Sequence, residues 1–144
     1  MYNSIVVGTD GSETAERALA RALEMARLTG ARVHVVSAYS PAAARVSGGP
    51  PAAEADAWSV QPDFAADAAL SRAAGRARAE GMEIEAHAPK GDPADAILAV
   101  ASDTGADLIV LGSRGMQGAR RVLGSVPNKV SHRAPCDLLI VQTT

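Results

Sequence analysis

Residues 106–125 read ADLIVLGSRGMQGARRVLGS and join an apolar run to a glycine-rich, basic segment. The run at 106–112 is apolar enough to form a strand buried on both faces, as the strands of a parallel sheet are. The loop after it contains three arginines and no acidic residue, and four glycines bound or interrupt it: Gly112, Gly115, Gly118 and Gly124. A buried strand that leads into such a loop predicts an α/β protein with a ligand at the carboxyl ends of its strands.

The rest of the chain alternates between strand-like and helix-like segments. The predicted strands are 4–10, 31–39, 82–88, 106–112 and 136–144. The predicted helices are 12–30, 63–80, 92–105 and 125–133, and residues 40–62, with four prolines and two glycines, predict a long loop. This alternation predicts a doubly wound α/β fold, a mostly parallel sheet with helices on both faces, and one domain over residues 1–144.

Local signals refine these elements. Ser12 is a good N-cap for the first helix, whose core-facing positions we predict as Ala15, Leu19, Ala22, Leu23, Ala26 and Leu28. Asp92 caps the helix that Pro93 begins, since proline suits a first helical position. The alternating pattern of 82–88 predicts an edge strand, and we expect Cys136 to be a small buried hydrophobe.

Composition and charge exclude several classes of protein. The net charge of −2 and an aromatic content of 3% argue against a nucleic-acid-binding protein. No apolar stretch approaches the roughly 20 residues that span a bilayer, so we expect no membrane insertion. The single cysteine cannot form an internal disulfide, and the N-terminus lacks a signal-peptide pattern, so we expect a cytoplasmic protein.

The loop at 112–125 predicts a phosphate site. Its glycines allow backbone amides to approach a ligand, and the helix that follows presents unpaired amides at its positive end, where we expect Ser125 both to cap the helix and to donate its hydroxyl. Five of the 14 basic residues lie between Asp107 and Asp137, a stretch with no acidic residue, and their positive field would attract a polyanion. The alternative is that these glycines are turn residues and these cations are only solvated.

Other motifs narrow the chemistry. The chain has neither a Walker P-loop nor the dinucleotide fingerprint G-x-G-x-x-G. The three histidines are scattered in sequence and lack metal-ligand spacing, and none pairs with an evident nucleophile, so we predict no hydrolase triad and no metal held directly by the protein, apart from the Asp10 alternative that follows. Asp10 ends the first strand and is either a turn residue or a ligand for ribose hydroxyls or phosphate-bound Mg²⁺.

Two stretches, VVGTDGSETAERAL at 6–19 and LIVLGSRGMQGARRVLGSVPNKVSHRAPCDLLIV at 108–141, resemble the universal stress protein (UspA-like) family. The resemblance covers nearly the whole chain and is weakest at 40–62. It implies a Rossmann-like fold of the adenine nucleotide alpha hydrolase type, with five parallel strands in the order 3-2-1-4-5. It also implies a homodimer joined through the last strand, residues 138–142.

The resemblance also implies a set of nucleotide-binding residues. Members whose loop reads G-x-x-G, nine further residues and G-[ST] bind ATP. Gly112 and Gly115 match the first pair and Gly124 and Ser125 match the last, with eight residues between Gly115 and Gly124 instead of nine. By the same resemblance, the remaining contacts come from Thr9 and Asp10 near the ribose, Ala38 near the adenine, Val126 near the phosphates and Arg114 in the first turn of the loop.

Three functions remain open at this stage. The first is a stress-response sensor or regulator that binds ATP or another adenine nucleotide, such as AMP or cyclic AMP, with Mg²⁺ accompanying ATP. The second is a slow ATPase or phosphotransfer enzyme, although the sequence offers no convincing base. The third is a dimerisation module without a nucleotide, an alternative that the shortened loop keeps open.

Overall fold

The computed structural model describes residues 1–39, 62–113 and 124–142, so residues 40–61 of the predicted loop and most of the glycine loop lie outside it, and Pro62 begins a helix instead of ending the loop. The described strands are β1 Ser4–Gly8, β2 Arg32–Val36, β3 Ile84–His87, β4 Leu108–Gly112 and β5 Asp137–Val141. The described helices are α1 Glu13–Thr29, α2 Pro62–Ala79, α3 Pro93–Asp103 and α4 Ser125–Arg133.

The five strands form one parallel sheet in the order β3-β2-β1-β4-β5, which confirms the predicted topology. All five strands are shorter than predicted, and β4 is shorter at its start instead of its end. β1 ends at Gly8, so Thr9 and Asp10 lie beyond the strand instead of within it. β2 ends at Val36, and an isolated parallel bridge between Tyr39 and Lys90 follows it.

The core consists of two layers, one on each face of the sheet. Along β1, Ile5 and Val7 pack into the layer that contains the apolar faces of α1 and α2, and Val6 packs into the layer under α3 and α4. All three side chains are fully buried. A central parallel strand covered on both faces explains why this run is continuously apolar.

Helix α1 begins and ends where the sequence predicts. The Ser12 hydroxyl accepts a hydrogen bond from the Ala15 amide at 3.2 Å, and Gly30 closes the helix in the left-handed conformation at φ +77°. Ala18 joins the buried stripe, whereas the predicted core position Leu28 is wrong, since Leu28 is 79% exposed. Leu28 lies two residues after the buried Ala26, which is a rotation of about 200° around the helix axis, so its side chain faces the solvent.

The two outer strands differ in what they present. β3 lies at one edge, as predicted, with Ile84 packed against the core and Glu85 exposed on the other face. Cys136, just before β5 at the other edge, is half-buried instead of fully buried, and burial raises the pKa of its thiol. No helix in the described part of the chain combines the length and apolarity needed to cross a membrane.

The amino ends of the central strands are held by side-chain acceptors. The Asp107 carboxylate accepts hydrogen bonds from the amides of Asn3 and Ser4, at 3.0 to 3.2 Å. Burial acts to raise the pKa of Asp107, but the backbone donors outweigh it and hold the pKa below its ordinary value. The Tyr2 hydroxyl donates to Asp137 at 2.7 Å, which ties the start of the chain to β5.

Candidate functional site

A cavity of about 490 Å³ opens at the carboxyl ends of β1, β2 and β4, where the topology predicts a ligand. Its walls come from the ends of these strands and the first turns of α1, α3 and α4. The lining residues are Gly8, Thr9, Asp10, Ser12, Thr14, Ala15, Val36, Ala38, Pro93, Ile97, Leu111, Gly112, Gly124, Ser125, Val126 and Pro127. The size lies in the range typical of small-molecule sites.

The apolar floor of the cavity depends on Gly8. A Cβ built at this position would lie 2.7 Å from Ile97 Cδ1 and 3.1 Å from Leu111 Cδ2. Contacts that short do not occur between packed carbon atoms, so Gly8 permits helix α3 to approach the end of β1 closely. Ile97 and Leu111 consequently belong to both the buried core and the cavity wall.

Residues 9–12 form a tightly hydrogen-bonded turn on one side of the cavity. The Thr9 amide donates to the Val36 carbonyl at 2.9 Å, and its hydroxyl accepts from the Gly11 amide at 3.1 Å. Asp10 Oδ1 accepts from the Ser12 amide at 2.9 Å. Asp10 is thus a turn residue and also a wall residue, so the two interpretations of its sequence position are compatible.

Gly11 completes this turn and shows why the sequence needs glycine there. Its φ of +82° lies in the left-handed region, and the Arg72 guanidinium on α2 donates to its carbonyl at 3.3 Å. A Cβ at Gly11 would lie 2.3 Å from Arg72 Nη2. Helix α2 therefore contacts the turn from behind and fixes its position relative to the sheet.

The amino end of α4 faces the cavity without a side-chain cap. Gly124 is the N-cap residue, in an extended conformation at φ −62° and ψ +163°, and Ser125 is the first helical residue. The prediction that Ser125 caps the helix is therefore wrong, because the chain enters the helix one residue earlier. With no capping side chain from Gly124, the first amides of α4 are suited to an anionic ligand.

Two of the five predicted cations are committed elsewhere. Lys129 Nζ lies 3.2 Å from Asp92 and 3.3 Å from Asp95, and Arg133 lies 2.8 Å from Asp95. Hydrogen bonds from Arg133 and Lys129 lower the pKa of Asp95, and those to Asp92 and Asp95 raise the pKa of Lys129. The predicted continuous basic field is wrong for these two residues, whose charges join α3 to α4.

Seven of the nine sequence-predicted site residues line this one cavity. They come from four separate parts of the chain: Thr9, Asp10, Ala38, Gly112, Gly124, Ser125 and Val126. Arg114 and Gly115 lie outside the described residues. Sequence reasoning missed Ser12, Thr14 and Ile97, although the GTDGSET stretch offered a signal for the first two, since its hydroxyls follow the strand end directly.

Two of the histidines that are scattered in sequence meet in the folded chain. His34 Nδ1 lies 3.1 Å from His87 Nε2, although the residues are 53 positions apart in sequence. Their rings are tilted by 42° with centroids 5.2 Å apart. Neither ring lines the cavity.

Comparison with known proteins agrees with this geometry. The family model described as the universal stress protein family matches residues 1–142. Universal stress protein Rv1636 of Mycobacterium tuberculosis is 37% identical over 147 residues, which cover 99% of this chain and 98% of the relative.

Two solved structures add bound ligands. A universal stress protein crystallised in complex with cAMP is 37% identical, with a TM-score of 0.77 and coverage of 99% of both chains. A universal stress protein from Archaeoglobus fulgidus, in complex with dAMP, is 32% identical with a TM-score of 0.70 and covers 97% of this chain and 98% of its own. With the family model matching nearly its full length, this chain belongs to the universal stress protein family.

Proposed function

We propose that this protein binds an adenine nucleotide in the cavity at the carboxyl ends of the strands and works as a ligand-dependent stress-response protein. The observation that carries the proposal is the meeting of Asp10, Ala38 and the uncapped start of α4 around one cavity. Two relatives of the same fold, in complex with cAMP and dAMP, support adenine as the ligand class.

The chemistry of the walls suggests how a nucleotide would lie. The phosphates would meet the amides of Ser125 and Val126 and the Ser125 hydroxyl, because a helix start stabilises negative charge. The ribose hydroxyls would donate to Asp10, beside Thr9. The adenine would then lie against the Ala38 backbone and the apolar floor at Ile97.

The finer assignments follow from the same arrangement. ATP with Mg²⁺ bound through its phosphates, and through Asp10 if the ion reaches it, is our first choice of ligand, with AMP and cyclic AMP as alternatives. Arg114, Gly112 and Gly115 would complete the phosphate side. Asp10 is the one carboxylate among the described lining residues, and its Oδ1 accepts from Ser12, so a binding role fits better than efficient catalysis.

We also propose a homodimer joined through residues 138–142, in the cytoplasm. β5 is an edge strand of the described sheet, so one side of its backbone is open to pairing with a second copy. Its Leu138, Leu139 and Ile140 are only half-buried within one chain. A dimer would cover these apolar side chains and the strand edge together.

Calorimetric titration of nucleotide-free protein with ATP, AMP and cAMP tests the binding proposal. We expect at least one of them to bind, and Asp10→Ala to weaken that binding by about tenfold, since it removes a charged acceptor. Asp10→Asn keeps an oxygen for the Ser12 amide and separates lost charge from a lost turn. Asp103→Ala, an exposed aspartate at the far end of α3, is the matched control.

Two results would overturn the proposal. One is the absence of heat with all three nucleotides. The other is equal affinity in the wild type, Asp10→Ala and Asp103→Ala.

A further inference from the structure

Three side chains with metal-ligand chemistry meet on the neighbouring strands β2 and β3, at one edge of the sheet. His34 Nδ1 lies 3.0 Å from Glu85 Oε2 and 3.1 Å from His87 Nε2. One ligand atom from each residue fits within 4.8 Å of the others. No other group of this kind occurs among the described residues.

The parallel register of β2 and β3 brings these residues together. His34 pairs with Glu85, and Val36 pairs with His87, so the two histidines are diagonal neighbours. Residues two apart on a strand share a face, which places Glu85 and His87 on the side where His34 points. The cluster is therefore built from regular, hydrogen-bonded backbone instead of loops.

The spacing of the ligand atoms is close to that of a bound metal ion. Nitrogen and oxygen ligands about 2.0 to 2.1 Å from a tetrahedral Zn²⁺ lie roughly 3.3 Å from one another. The two distances from His34 Nδ1 are 3.0 and 3.1 Å, and all three ligand atoms lie within 4.8 Å of one another, so side-chain adjustments would bring them around one ion.

The three residues differ in how deeply they are buried. His34 is buried, His87 is half-buried and Glu85 is exposed, so an ion could enter from solvent and still meet a rigid ligand. Burial lowers the pKa of His34, with Glu85 opposing this shift and His87 and Arg32 reinforcing it.

Without a metal, the cluster makes an inefficient set of hydrogen bonds. His34 Nδ1 lies within hydrogen-bond distance of the Glu85 carboxylate, which accepts, and of His87 Nε2, which accepts or donates according to its tautomer. The Nδ1 atom carries at most one proton, so it cannot serve both partners fully. A cation at the centre would satisfy the Glu85 carboxylate and both ring nitrogens together.

We propose that His34, Glu85 and His87 form a binding site for a borderline divalent transition-metal ion such as Zn²⁺, with the remaining coordination position open to solvent. Two imidazoles and one carboxylate suit Zn²⁺, Co²⁺ or Ni²⁺, whereas Mg²⁺ and Ca²⁺ prefer oxygen ligands. None of the three residues lines the nucleotide cavity, so this site is separate from the proposed function. A bound ion would join β3 to β2 and stabilise the edge of the sheet.

Calorimetric titration of the metal-free chain with Zn²⁺ tests the site, in protein that carries no polyhistidine tag. The variants are His87→Ala and Glu85→Gln, whose side chains are not fully buried and whose loss the fold should tolerate. His132→Ala removes an exposed histidine on α4 and is the matched control. Visible absorption of the Co²⁺-loaded chain reports the coordination geometry, and thermal unfolding confirms that each variant is folded.

We expect one Zn²⁺ per chain in the wild type and in His132→Ala, with affinity reduced about tenfold or more in His87→Ala and in Glu85→Gln. We also expect Zn²⁺ to raise the melting temperature of the wild type, because it binds the folded state. Failure of the wild type to bind Zn²⁺ would overturn the site. So would wild-type affinity in either His87→Ala or Glu85→Gln.

Discussion

The two ends of the central strands contrast in how their polar groups are satisfied. At the amino ends, the carboxylate of Asp107 accepts from the amides of Asn3 and Ser4, so these two backbone donors are satisfied within the protein. At the carboxyl ends, Gly8 and Gly112 line the cavity, and Gly124 leaves the start of α4 without a side-chain cap. Side-chain acceptors hold the amino ends, whereas the carboxyl ends line a cavity that is open to a ligand.

The direction of the chain explains this contrast. In a parallel sheet every strand ends at the same edge, and each following helix begins there with its positive dipole end. A capping side chain occupies one of the unpaired amides at that end, as Ser12 does for α1 and Asp92 does for α3. Glycine at the N-cap of α4 leaves these amides uncapped, so a binding site can be made by omitting a stabilising residue.

The largest expected effect comes from adding a side chain at the carboxyl end of β1, with Gly8→Val. Its Cβ would meet Ile97 Cδ1 at 2.7 Å, so we expect a loss of about 1–3 kcal/mol in unfolding free energy, measured by urea denaturation. Gly75→Ala, at an exposed helical site with nothing within 4 Å, should instead stabilise the protein by roughly 0.5–1 kcal/mol. An unchanged Gly8→Val midpoint would contradict the close packing of α3.

The next effect comes from giving α4 the cap that it lacks. Gly124 has an extended conformation that aspartate adopts readily, so Gly124→Asp should stabilise the helix by a few tenths of a kcal/mol, or roughly 0.3. The same carboxylate would occupy the amides and repel phosphate, and we expect nucleotide affinity to fall about tenfold or more by calorimetry. Gly124→Asn adds a neutral cap, so a larger loss of nucleotide affinity with aspartate than with asparagine would measure the effect of the charge.

If Gly124→Asp binds nucleotide as tightly as the wild type does, the phosphates bind elsewhere.

The smallest effect concerns the amino ends of the strands and is tested with Asp107→Asn. The variant loses a charged acceptor for two amides, and we expect a cost of about 1 kcal/mol near pH 7 in chemical denaturation. Because folding depresses the pKa of Asp107, the wild-type advantage is present above the unfolded pKa of about 3.9 and is lost as pH falls through the folded pKa. Asp103→Asn, exposed on α3, should change little at any pH. A constant difference across this pH range would argue against the charged hydrogen bonds.

Much of the fold is predictable because its signals are local. Alternating segments, Ser12 and Asp92 as caps, and Gly30 as a terminator each act within a few residues, and the structure agrees with them. Leu28 was misplaced because an apolar residue near a helix end satisfies helical spacing loosely. Its exposure depends on which face of the last turn meets the sheet, which the sequence does not state.

The site was less predictable where it depends on long-range register. The turn at 9–10 and the start of α4 carry local glycine and hydroxyl signals, so their residues were found. The contact between His34 and His87 depends on the register of β2 and β3. The residues are 53 positions apart, and no local sequence pattern indicates that register. Likewise, Lys129 and Arg133 look like free cations until the packing of α4 against α3 brings Asp92 and Asp95 to them.

Ile97 and Leu111 form part of the interior and also the floor of the cavity, so a molecule that fills the cavity enlarges the interior. A ligand present at a hundred times its dissociation constant would raise the free energy of unfolding by about 2.7 kcal/mol. The fraction of intact protein would then rise with the concentration of the ligand. Proteolysis of the unfolded fraction would convert metabolite level into protein lifetime, with no moving part required.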